Sequence, residues 1–311
     1  MASDSLVGAQ LPTTNLPIGV VINPTSGKGK GAAAGEQALA TLQALGHQVL
    51  NLSAGNAENA LAAAREAVTA GAIQALVVVG GDGVVHLGVN ACAGTNVPLG
   101  IVAAGTGNDA ALTLGLPLDN PALATQTAAQ NLAKPKTIDL VAGKTEHGEF
   151  HAFNTVSAGF DALVNRRANR MSWPKGPSRY TIAMVLELLS FSGIKYNAVI
   201  DGAERKIEAM LCAVANGPSF GGGMFIAPHA KIDDGALDLF VVHKISKLEL
   251  LKVFPKVFTG GHVTHPSVEF VSGNRFRLDS GDLPAYADGE FVGNSPIDVW
   301  IAPGALKVLA N

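Results

Sequence analysis

The chain has 311 residues, more than one ordinary small domain needs, and this length suits two domains. Apolar residues make up 48% of the chain and charged residues only 15%, a composition that excludes a disordered protein. The net charge is −3 and no run of lysine or arginine is longer than a pair, so overall charge attracts neither nucleic acid nor an anionic membrane.

The first residues and the cysteines indicate the cytoplasm. Residues 1–17 lack a positively charged region followed by an apolar one, so we interpret them as a polar lead-in and not as a signal peptide. Cys92 and Cys212 have no CxxC or histidine spacing around them, which predicts buried, inert thiols. The apolar stretch 181–194 is shorter than the roughly 20 residues of a bilayer crossing and contains Glu187, so we expect a core helix there.

Residues 18–103 alternate short β-branched segments with helical ones. Gly46 and Gly71 stand where helices end, and Asn56 can cap the start of the second helix. Such alternation predicts a parallel sheet with crossover helices. The predicted strands are 18–22, 49–52, 75–79 and 99–103, and the predicted helices are 33–45 and 58–70.

After about Lys136 the pattern becomes predominantly that of β structure. Two helical stretches interrupt it, 179–190 and 247–258, and Pro255 bends or splits the second. The predicted strands of this half are 137–141, 150–156, 198–200, 208–215, 237–242 and 275–279.

The change of pattern suggests a division into two domains. Residues 1–135 form the predicted α/β domain and residues 136–296 the β-rich domain. The last stretch, 297–311, is apolar with a Pro303-Gly304 turn, and we expect it to return to the first domain.

The loop after the first strand is rich in glycine and lysine. It reads Asn23-Pro24-Thr25-Ser26-Gly27-Lys28-Gly29-Lys30-Gly31 and lies between a buried strand and a helix. Its glycines let backbone N–H groups turn toward an anion, while the helix N-terminus and the lysines add positive potential. The pattern is neither GxxxxGK[ST] nor GxGxxG. It predicts a phosphate-binding loop, although a flexible strand-to-helix turn has the same composition.

Two more loops follow strands at the same edge of the predicted sheet. Gly80-Gly81-Asp82-Gly83 ends the third strand, where Asp82 can hold a metal ion or orient a nucleotide. Gly105-Thr106-Gly107-Asn108-Asp109 follows the fourth, with a hydroxyl, an amide and a carboxylate suited to phosphate, Mg²⁺ or a substrate hydroxyl. Asp109 could instead cap a helix. The convergence of three such loops favours a nucleotide site.

In their order and spacing these motifs resemble the diacylglycerol kinase catalytic family. That family includes soluble bacterial diacylglycerol kinases, other bacterial lipid kinases and the sphingosine kinases, and it is more distantly related to NAD kinase. The resemblance implies an N-terminal parallel-sheet α/β nucleotide-binding domain and a C-terminal β-sandwich-like lipid domain. The matching segments are 23–27, 80–83 with Asn90, 105–109, 154–159, 227–238 and 288–290.

The resemblance also implies that ATP is held between the first three motifs. Asp82 then acts through Mg²⁺ on the ATP phosphates. The expected nucleotide contacts are Asn23, Pro24, Thr25, Ser26, Gly27, Lys28, Ser53, Gly80, Gly81, Asp82, Gly83, Gly105, Thr106, Asn108 and Asp109.

The late Asp288-Gly289-Glu290 motif supplies the other expected catalytic carboxylates. Resemblance to the family implies that an acid of this motif is the general base on the lipid hydroxyl, and we choose Glu290, with Asp288 beside it. Asp-Gly before a strand is also the chemistry of a hairpin turn, which is the alternative.

A second Mg²⁺ site is implied near the domain interface. Asp234 would supply a carboxylate, and Lys231 and Ala236 their main-chain oxygens, a donor set suited to a hard cation. An ordinary β-turn accounts for the same residues.

Two residues depart from the family pattern. Val84 and Leu87 stand where the family usually has Thr and Glu, while His86 and Asn90 match residue types seen there. The second motif therefore lacks a hydroxyl and a carboxylate, which leaves an unusual nucleotide or a weakened enzyme as alternatives.

Outside these motifs we expect ordinary structural roles. His262 and His265 form an HxxH pair with no third ligand nearby, so we predict solvated loop histidines and not a zinc site. The apolar helices near 184–189 and 248–258 could line an acyl pocket, but we expect core packing.

The leading hypothesis is an ATP-dependent kinase that phosphorylates diacylglycerol to phosphatidic acid, with ATP and Mg²⁺ as cofactors. We expect a cytoplasmic enzyme that meets its membrane lipid at the bilayer surface, with no nucleic-acid partner and with a homodimer as an open option. The alternatives are another acceptor (a sphingoid base, another lipid alcohol or a dinucleotide) or a nucleotide- or lipid-binding regulator that has lost catalysis.

Overall fold

The structure is a computed structural model that describes residues 16–158, 163–164, 167, 170–171, 173, 178–190 and 193–311. Most of the predicted lead-in, 1–17, therefore lies outside the described residues. So do Gly159 of the fourth matching segment and two residues of the stretch 181–194.

The N-terminal region is a parallel sheet with helices packed on both faces. Its central strand, Ala75–Gly80, has the sequence ALVVVG and is buried at every position. Its side chains point alternately to the two faces of the sheet, where Leu76 and Val78 pack in one apolar cluster with helices and Val77 and Val79 pack in another. The elements are β1 (Ile18–Ile22), α1 (Ser26–Ala44), β2 (Val49–Asn51), α2 (Ala57–Thr69), β3 (Ala75–Gly80), α3 (Asp82–Cys92), β4 (Leu99–Ala103), α4 (Asp109–Thr113) and α5 (Pro121–Gln130).

The four predicted strands of this region are confirmed, and they lie in the order β4-β3-β1-β2 with parallel pairing. The Asn56 side chain accepts the Asn59 N–H at 2.8 Å and caps α2 as expected. Helix α1 spans Ser26–Ala44, but Gly27, Lys28 and Gly29 have left-handed, non-helical angles, so its regular part begins after Gly29, closer to the predicted start. Helix α5 is missing from the prediction, since its sequence PALATQTAAQ has little apolar periodicity.

The C-terminal region is mostly antiparallel β structure. Apolar side chains from its strands enclose a second core that includes Tyr196, Phe276 and Leu239. Its helices cover the other side, where they pack on Phe240 and Met210. The elements are β5 (Lys136–Thr145), β6 (Gly148–Ala152), β7 (Thr155–Ala158), α6 (Ser178–Ser190), β8 (Ile194–Ile200), β9 (Ala203–Ala215), β10 (Leu237–His243), α7 (Lys247–Val253), a 3₁₀ helix (Phe254–Thr259), β11 (Val268–Gly273), β12 (Arg275–Asp279), β13 (Pro284–Ala287), β14 (Glu290–Asn294) and β15 (Ile297–Val308).

The last strand joins the two regions. β15 pairs antiparallel with β5 along most of its length, with a break in register between Ala302 and Leu306. Beyond the break, Val308 pairs in parallel with Leu99 of β4, and the Leu309 N–H donates to the Leu99 carbonyl at 2.9 Å. The main path of strands therefore runs β14-β13-β7-β9-β8-β12-β15-β4-β3-β1-β2.

One predicted strand, 150–156, is wrong as a single element. The chain bends at Phe153 and Asn154, so that β6 ends at Ala152 and β7 begins at Thr155. The bend is held by a side chain more than 130 residues away, Asp288, as described below. A local pattern of apolar residues cannot reveal such a contact.

The prediction of buried thiols is confirmed. Cys92 and Cys212 are free and buried, and burial raises the pKa of each to about 12. Neither is a reactive thiolate at neutral pH. Within the described part of the chain, no helix is both long and apolar enough to cross a membrane.

Candidate active site

The three glycine-rich loops meet at the carboxyl edge of the parallel sheet. The Asn23 N–H donates to the Val79 carbonyl at 2.9 Å, and the Ser26 hydroxyl accepts the Gly81 N–H at 3.3 Å. A Cβ on Gly105 would collide with the backbone of Gly81, so only glycine lets the second and third loops approach this closely. The predicted convergence of the three motifs is therefore present.

The first loop has an unusual backbone. Gly27, Lys28 and Gly29 are all left-handed, with φ of 56°, 62° and 92°. The loop is fixed at its start by Asn23, whose side-chain oxygen accepts both the N–H and the hydroxyl of Thr25. Left-handed geometry costs a lysine about 1–2 kcal/mol, and such strain is concentrated at functional sites.

Ser53 and Thr106 lie at the same edge of the sheet. The Ser53 hydroxyl accepts the Ile22 N–H at 2.9 Å and so fixes the end of β1. Thr106 is exposed at the tip of the third loop. Their expected contacts with a nucleotide stay predictions.

Asp82 joins the second loop to the third. It begins α3, and its two carboxylate oxygens accept the N–H groups of Asn108 and Asp109, both at 2.8 Å. Burial, and after it the charge of nearby Asp109, raise the pKa of Asp82 to about 6. Such a carboxylate can exchange a proton near neutral pH.

Asp109 joins the third loop to the C-terminal region. Its carboxylate accepts the N–H groups of Gly222 at 2.9 Å and Gly223 at 2.8 Å. Burial raises its pKa, although the bonds from these two amides oppose the shift. The helix-cap alternative is wrong, because the N-cap of α4 is Asn108. Sequence reasoning missed the partner loop, and the run Gly221-Gly222-Gly223 is the signal that could have indicated it.

Asp288 holds the bend between β6 and β7. Its carboxylate accepts three backbone N–H groups, from Phe153 at 2.6 Å, Asn154 at 2.9 Å and Thr155 at 3.0 Å. Asp288 and Gly289 have φ of 49° and 87°, so the hairpin alternative is confirmed for this motif. Asp288 has both roles at once: its backbone forms the left-handed hairpin turn, and its side chain lies against the bend at residues 153–155.

Glu290 is two residues after Asp288 and lies beside Gly83, the residue that follows Asp82. It is the first residue of β14, is exposed, and lies against the start of α3, where a Cβ on Gly83 would be 2.7 Å from its Oε1. Its carboxylate therefore faces a cleft and not a backbone partner, which suits a group that exchanges protons with a bound molecule.

Helix α3 carries two polar residues that link the motifs. The Asn90 amide donates to the His151 carbonyl at 2.9 Å and accepts the His151 N–H at 2.9 Å, which attaches α3 to β6. The His86 Nδ1 atom is 4.0 Å from Asp288 Oδ2. Val84 and Leu87, which stand where the family pattern has Thr and Glu, are buried in the apolar cluster on this helix. Their side chains therefore make packing contacts at positions where the family pattern has polar groups.

Two cavities converge on these carboxylates. A cleft of about 780 Å³ is lined by the first loop, α2, α3 and Glu290. On the other side, Asp82, Asp109 and Asp288 line a narrow pocket with Phe220. Phe220 also lines an apolar cavity of about 60 Å³ beneath α6, α7 and the 3₁₀ helix, with Met184, Leu211, Met224, Val253 and Phe254 among its walls.

The surroundings of the apolar cavity confirm one prediction and correct another. The helices at 184–189 and 248–258 contribute to core packing as expected, through Met184, Phe254 and Val257. The same three residues also line the cavity. The prediction of solvated loop histidines is wrong for His262, which is 1% exposed and donates its Nε2–H to the Ile226 carbonyl at 3.0 Å. His265 pairs with Glu249 at 3.1 Å.

The implied structural Mg²⁺ site has oxygen donors only. Asp234 is exposed, and its Oδ1 accepts the Ala236 N–H at 3.2 Å, the geometry of a polar turn. The donor set of Asp234, Lys231 and Ala236 fits a hard cation chemically. No cluster of three or more acidic, histidine or cysteine side chains suited to a metal occurs among the described residues, so main-chain or phosphate oxygens must complete any such site.

We predict that Asp288→Ala lowers the free energy of unfolding by about 3 kcal/mol, because three buried N–H groups lose a charged acceptor. Urea denaturation measures the change. The matched control is Asp282→Ala, an exposed acid of the same region. Equal stability of the two variants would show that the bend at 153–154 does not depend on Asp288.

We also predict a pH dependence of stability that originates at Asp82. Its pKa is raised from 3.8 in the unfolded chain to about 6, so the folded state binds more protons and stability falls as the pH rises through this interval. In Asp82→Asn this part of the slope disappears, whereas exposed Asp119→Asn retains it. Urea denaturation from pH 4 to pH 7 gives the slopes, and identical slopes for all three proteins would contradict the burial of Asp82.

Comparison with protein families matches both halves of the chain. Residues 17–142 match the diacylglycerol kinase catalytic domain, and residues 154–310 match the YegS C-terminal NAD kinase β-sandwich-like domain. The solved structure of a diacylglycerol kinase from Bacillus anthracis superposes with a TM-score of 0.70 at 20% identity, covering 95% of this chain and 97% of that one. This likeness supports the fold, an N-terminal parallel α/β region followed by a mostly β sandwich-like domain.

Curated relatives match along nearly the full chain. A diacylglycerol kinase of Mycobacterium tuberculosis is 39% identical over 289 residues, which covers 92% of this chain and 93% of the relative. A diacylglycerol kinase of Bacillus subtilis is 27% identical, covering 89% and 90% respectively. The chain therefore belongs to the bacterial diacylglycerol kinase and YegS-like lipid kinase family.

Proposed function

We propose that the protein transfers the γ-phosphate of ATP to the free hydroxyl of diacylglycerol, giving phosphatidic acid and ADP. One observation carries the proposal: Phe220 is a wall both of the apolar cavity and of the pocket that holds Asp82, Asp109 and Asp288. An acceptor with apolar chains in the cavity would have its polar end beside the carboxylates. Relatives at 39% and 27% identity bear the name diacylglycerol kinase, which supports the same acceptor.

The nucleotide is proposed to occupy the cleft of about 780 Å³. The first loop lines this cleft with Asn23, Pro24 and Thr25, and the first turn of α3 lines it with Gly83 and Val84. Lys28, in the left-handed turn three residues after Thr25, is proposed to reach the phosphate oxygens from the rim of the cleft. Mg²⁺ would be held near Asp82 with the ATP phosphates, where it neutralises charge on the transferred group. The second Mg²⁺, at Asp234, Lys231 and Ala236, is proposed to support the turn and takes no part in the reaction.

The reaction needs a group that accepts a proton from the lipid hydroxyl. The acceptor oxygen forms a bond to the γ-phosphorus, the bond from that phosphorus to the β–γ bridging oxygen breaks, and the hydroxyl proton passes to a carboxylate. We assign that carboxylate to Glu290, which is exposed to the cleft, whereas both oxygens of Asp82 already accept backbone N–H groups. Asp288 positions the strand bend beside them.

The apolar cavity says little about which lipid is bound. Its walls are apolar apart from His262 and His265, so chain length and shape would select the acceptor more than polar contacts do. Another lipid alcohol or a sphingoid base is therefore the nearest alternative acceptor. We propose that the enzyme acts in the cytoplasm, against the bilayer that supplies its lipid.

The second candidate is a lipid- or nucleotide-binding regulator. The burial of Val84 and Leu87 in an apolar cluster favours it, because the second motif has lost a hydroxyl and a carboxylate. Measurable ATP binding with no transfer to any acceptor is the result that this candidate requires.

Transfer of labelled phosphate from Mg·ATP to lipids in mixed micelles tests the proposal. We expect labelled phosphatidic acid from the wild type, and a rate lower by about 10²- to 10⁴-fold in both Asp82→Asn and Glu290→Gln. Exposed Asp119→Asn is the matched control and should retain the wild-type rate. Sphingoid base, NAD and no-acceptor reactions accompany the assay.

Each outcome separates the assignments. Loss of transfer in Asp82→Asn but not in Glu290→Gln would move the general base away from Glu290. Transfer to a sphingoid base in preference to diacylglycerol would change the acceptor while retaining the kinase, and absence of transfer to every acceptor would contradict the proposal.

A further inference from the structure

One surface segment has a charge opposite to that of the whole chain. Between residues 244 and 256 there are four lysines, at 244, 247, 252 and 256, and a single acid, Glu249. The segment thus carries a net charge of +3 (4 − 1) in a chain whose net charge is −3. The net negative charge of the whole chain does not attract an anionic surface, whereas the local excess of positive charge in this segment can attract one.

The same segment forms part of the wall of the apolar cavity. Helix α7 and the 3₁₀ helix direct Val253, Phe254 and Val257 inward as cavity walls. Their outer face carries apolar side chains as well, since Leu248 is 75% exposed and Phe258 is 39% exposed. Among these, Lys252 and Lys256 are exposed. Leu248, Lys252 and Lys256 share one solvent-facing side, since all three line the same groove.

A groove of about 370 Å³ runs along this face and borders the cavity. Its walls include Ser246, Leu248, Lys252 and Lys256, and it shares Val253 and His265 with the cavity. Glu249 also lines the groove.

The acid in the groove is already paired. The His265 Nδ1 accepts the Ser267 N–H at 3.2 Å, so its Nε2 is the donor to Glu249 Oε1 at 3.1 Å. The carboxylate of Glu249 is thereby engaged inside the segment. The ammonium groups of Lys252 and Lys256 remain directed to the solvent, where anions can approach them.

We propose that the outer face of α7 and the 3₁₀ helix docks on a bilayer that contains anionic phospholipid. Lys252 and Lys256 contact lipid phosphates, while Leu248 enters the interface between headgroups and acyl chains. A second copy of the chain fits this face poorly, because two such segments would bring like charges together. Docking here places the groove, which shares Val253 and His265 with the apolar cavity, against the lipid source.

This inference goes beyond the proposed reaction, and its test involves no turnover. Binding of the full chain to sedimented vesicles is compared for phosphatidylcholine alone and for phosphatidylcholine with about one third phosphatidylglycerol, at low and high salt. We expect binding to the mixed vesicles only, weakened by salt because the lysine contribution is screened.

The variants separate the contribution of the lysine charges to vesicle binding from the contribution of the apolar side chain. Lys252→Gln with Lys256→Gln should weaken the partition into anionic vesicles by roughly 25-fold, about fivefold for each lysine. Leu248→Ser should weaken it by about tenfold. The matched control is Lys134→Gln with Lys206→Gln, two exposed lysines on other elements, which should bind as the wild type does. Thermal unfolding of every variant checks that the fold is retained.

Three results would overturn the inference. Equal binding to neutral and anionic vesicles would exclude recognition of charge, and an equal loss in the control pair would assign the effect to overall charge. If Leu248→Ser leaves vesicle binding unchanged but abolishes a dimer seen by analytical ultracentrifugation, the face is an interface between copies. None of these results depends on whether the protein phosphorylates diacylglycerol.

Discussion

The hydrogen bonds between three aspartate carboxylates, buried or half-buried, and backbone N–H groups are the interaction on which the rest of the structure depends. Asp82 fixes the third loop, Asp109 fixes the Gly222–Gly223 loop, and Asp288 fixes the bend after β6. Together these hydrogen bonds connect the loops of the parallel sheet to the loops of the β-rich region. Each acid is held by charge-assisted bonds to the main chain, so the loops around the pocket are positioned by rigid elements on both sides.

The same arrangement explains the electrostatics of the pocket. Burial raises the pKa of Asp82 and Asp109, and the charge of Asp288 raises both further. The amide bonds oppose these shifts without cancelling them. The site thus concentrates negative charge where no cation is supplied by a described side chain in the narrow pocket. Phosphates with their metal ion, or a proton, are the groups whose arrival would relieve that repulsion.

The predictable part of the structure is the part encoded in local sequence. The strands at 18–22, 75–79 and 99–103 and the glycine-rich loops after them follow from β-branched runs and from positions that only glycine can occupy. The partners of Asp109 and Asp288 could not be predicted, because they lie more than 100 residues away and the bonds are made to main-chain groups of any residue type. The burial of His262 could not be predicted for a similar reason, since it depends on helices that pack around a cavity and no sequence pattern indicates that cavity.

The central claim is that the apolar cavity receives the acyl chains of an acceptor whose hydroxyl reaches the carboxylates past Phe220. Filling the cavity with Met184→Trp and measuring phosphate transfer to diacylglycerols of increasing chain length tests it most directly, with thermal unfolding as the check on folding. The account predicts that kcat/KM falls at least about tenfold for long-chain diacylglycerol and is unchanged for the shortest acceptor that is phosphorylated. An equal fall at every chain length, or no fall for the long-chain lipid, would contradict it.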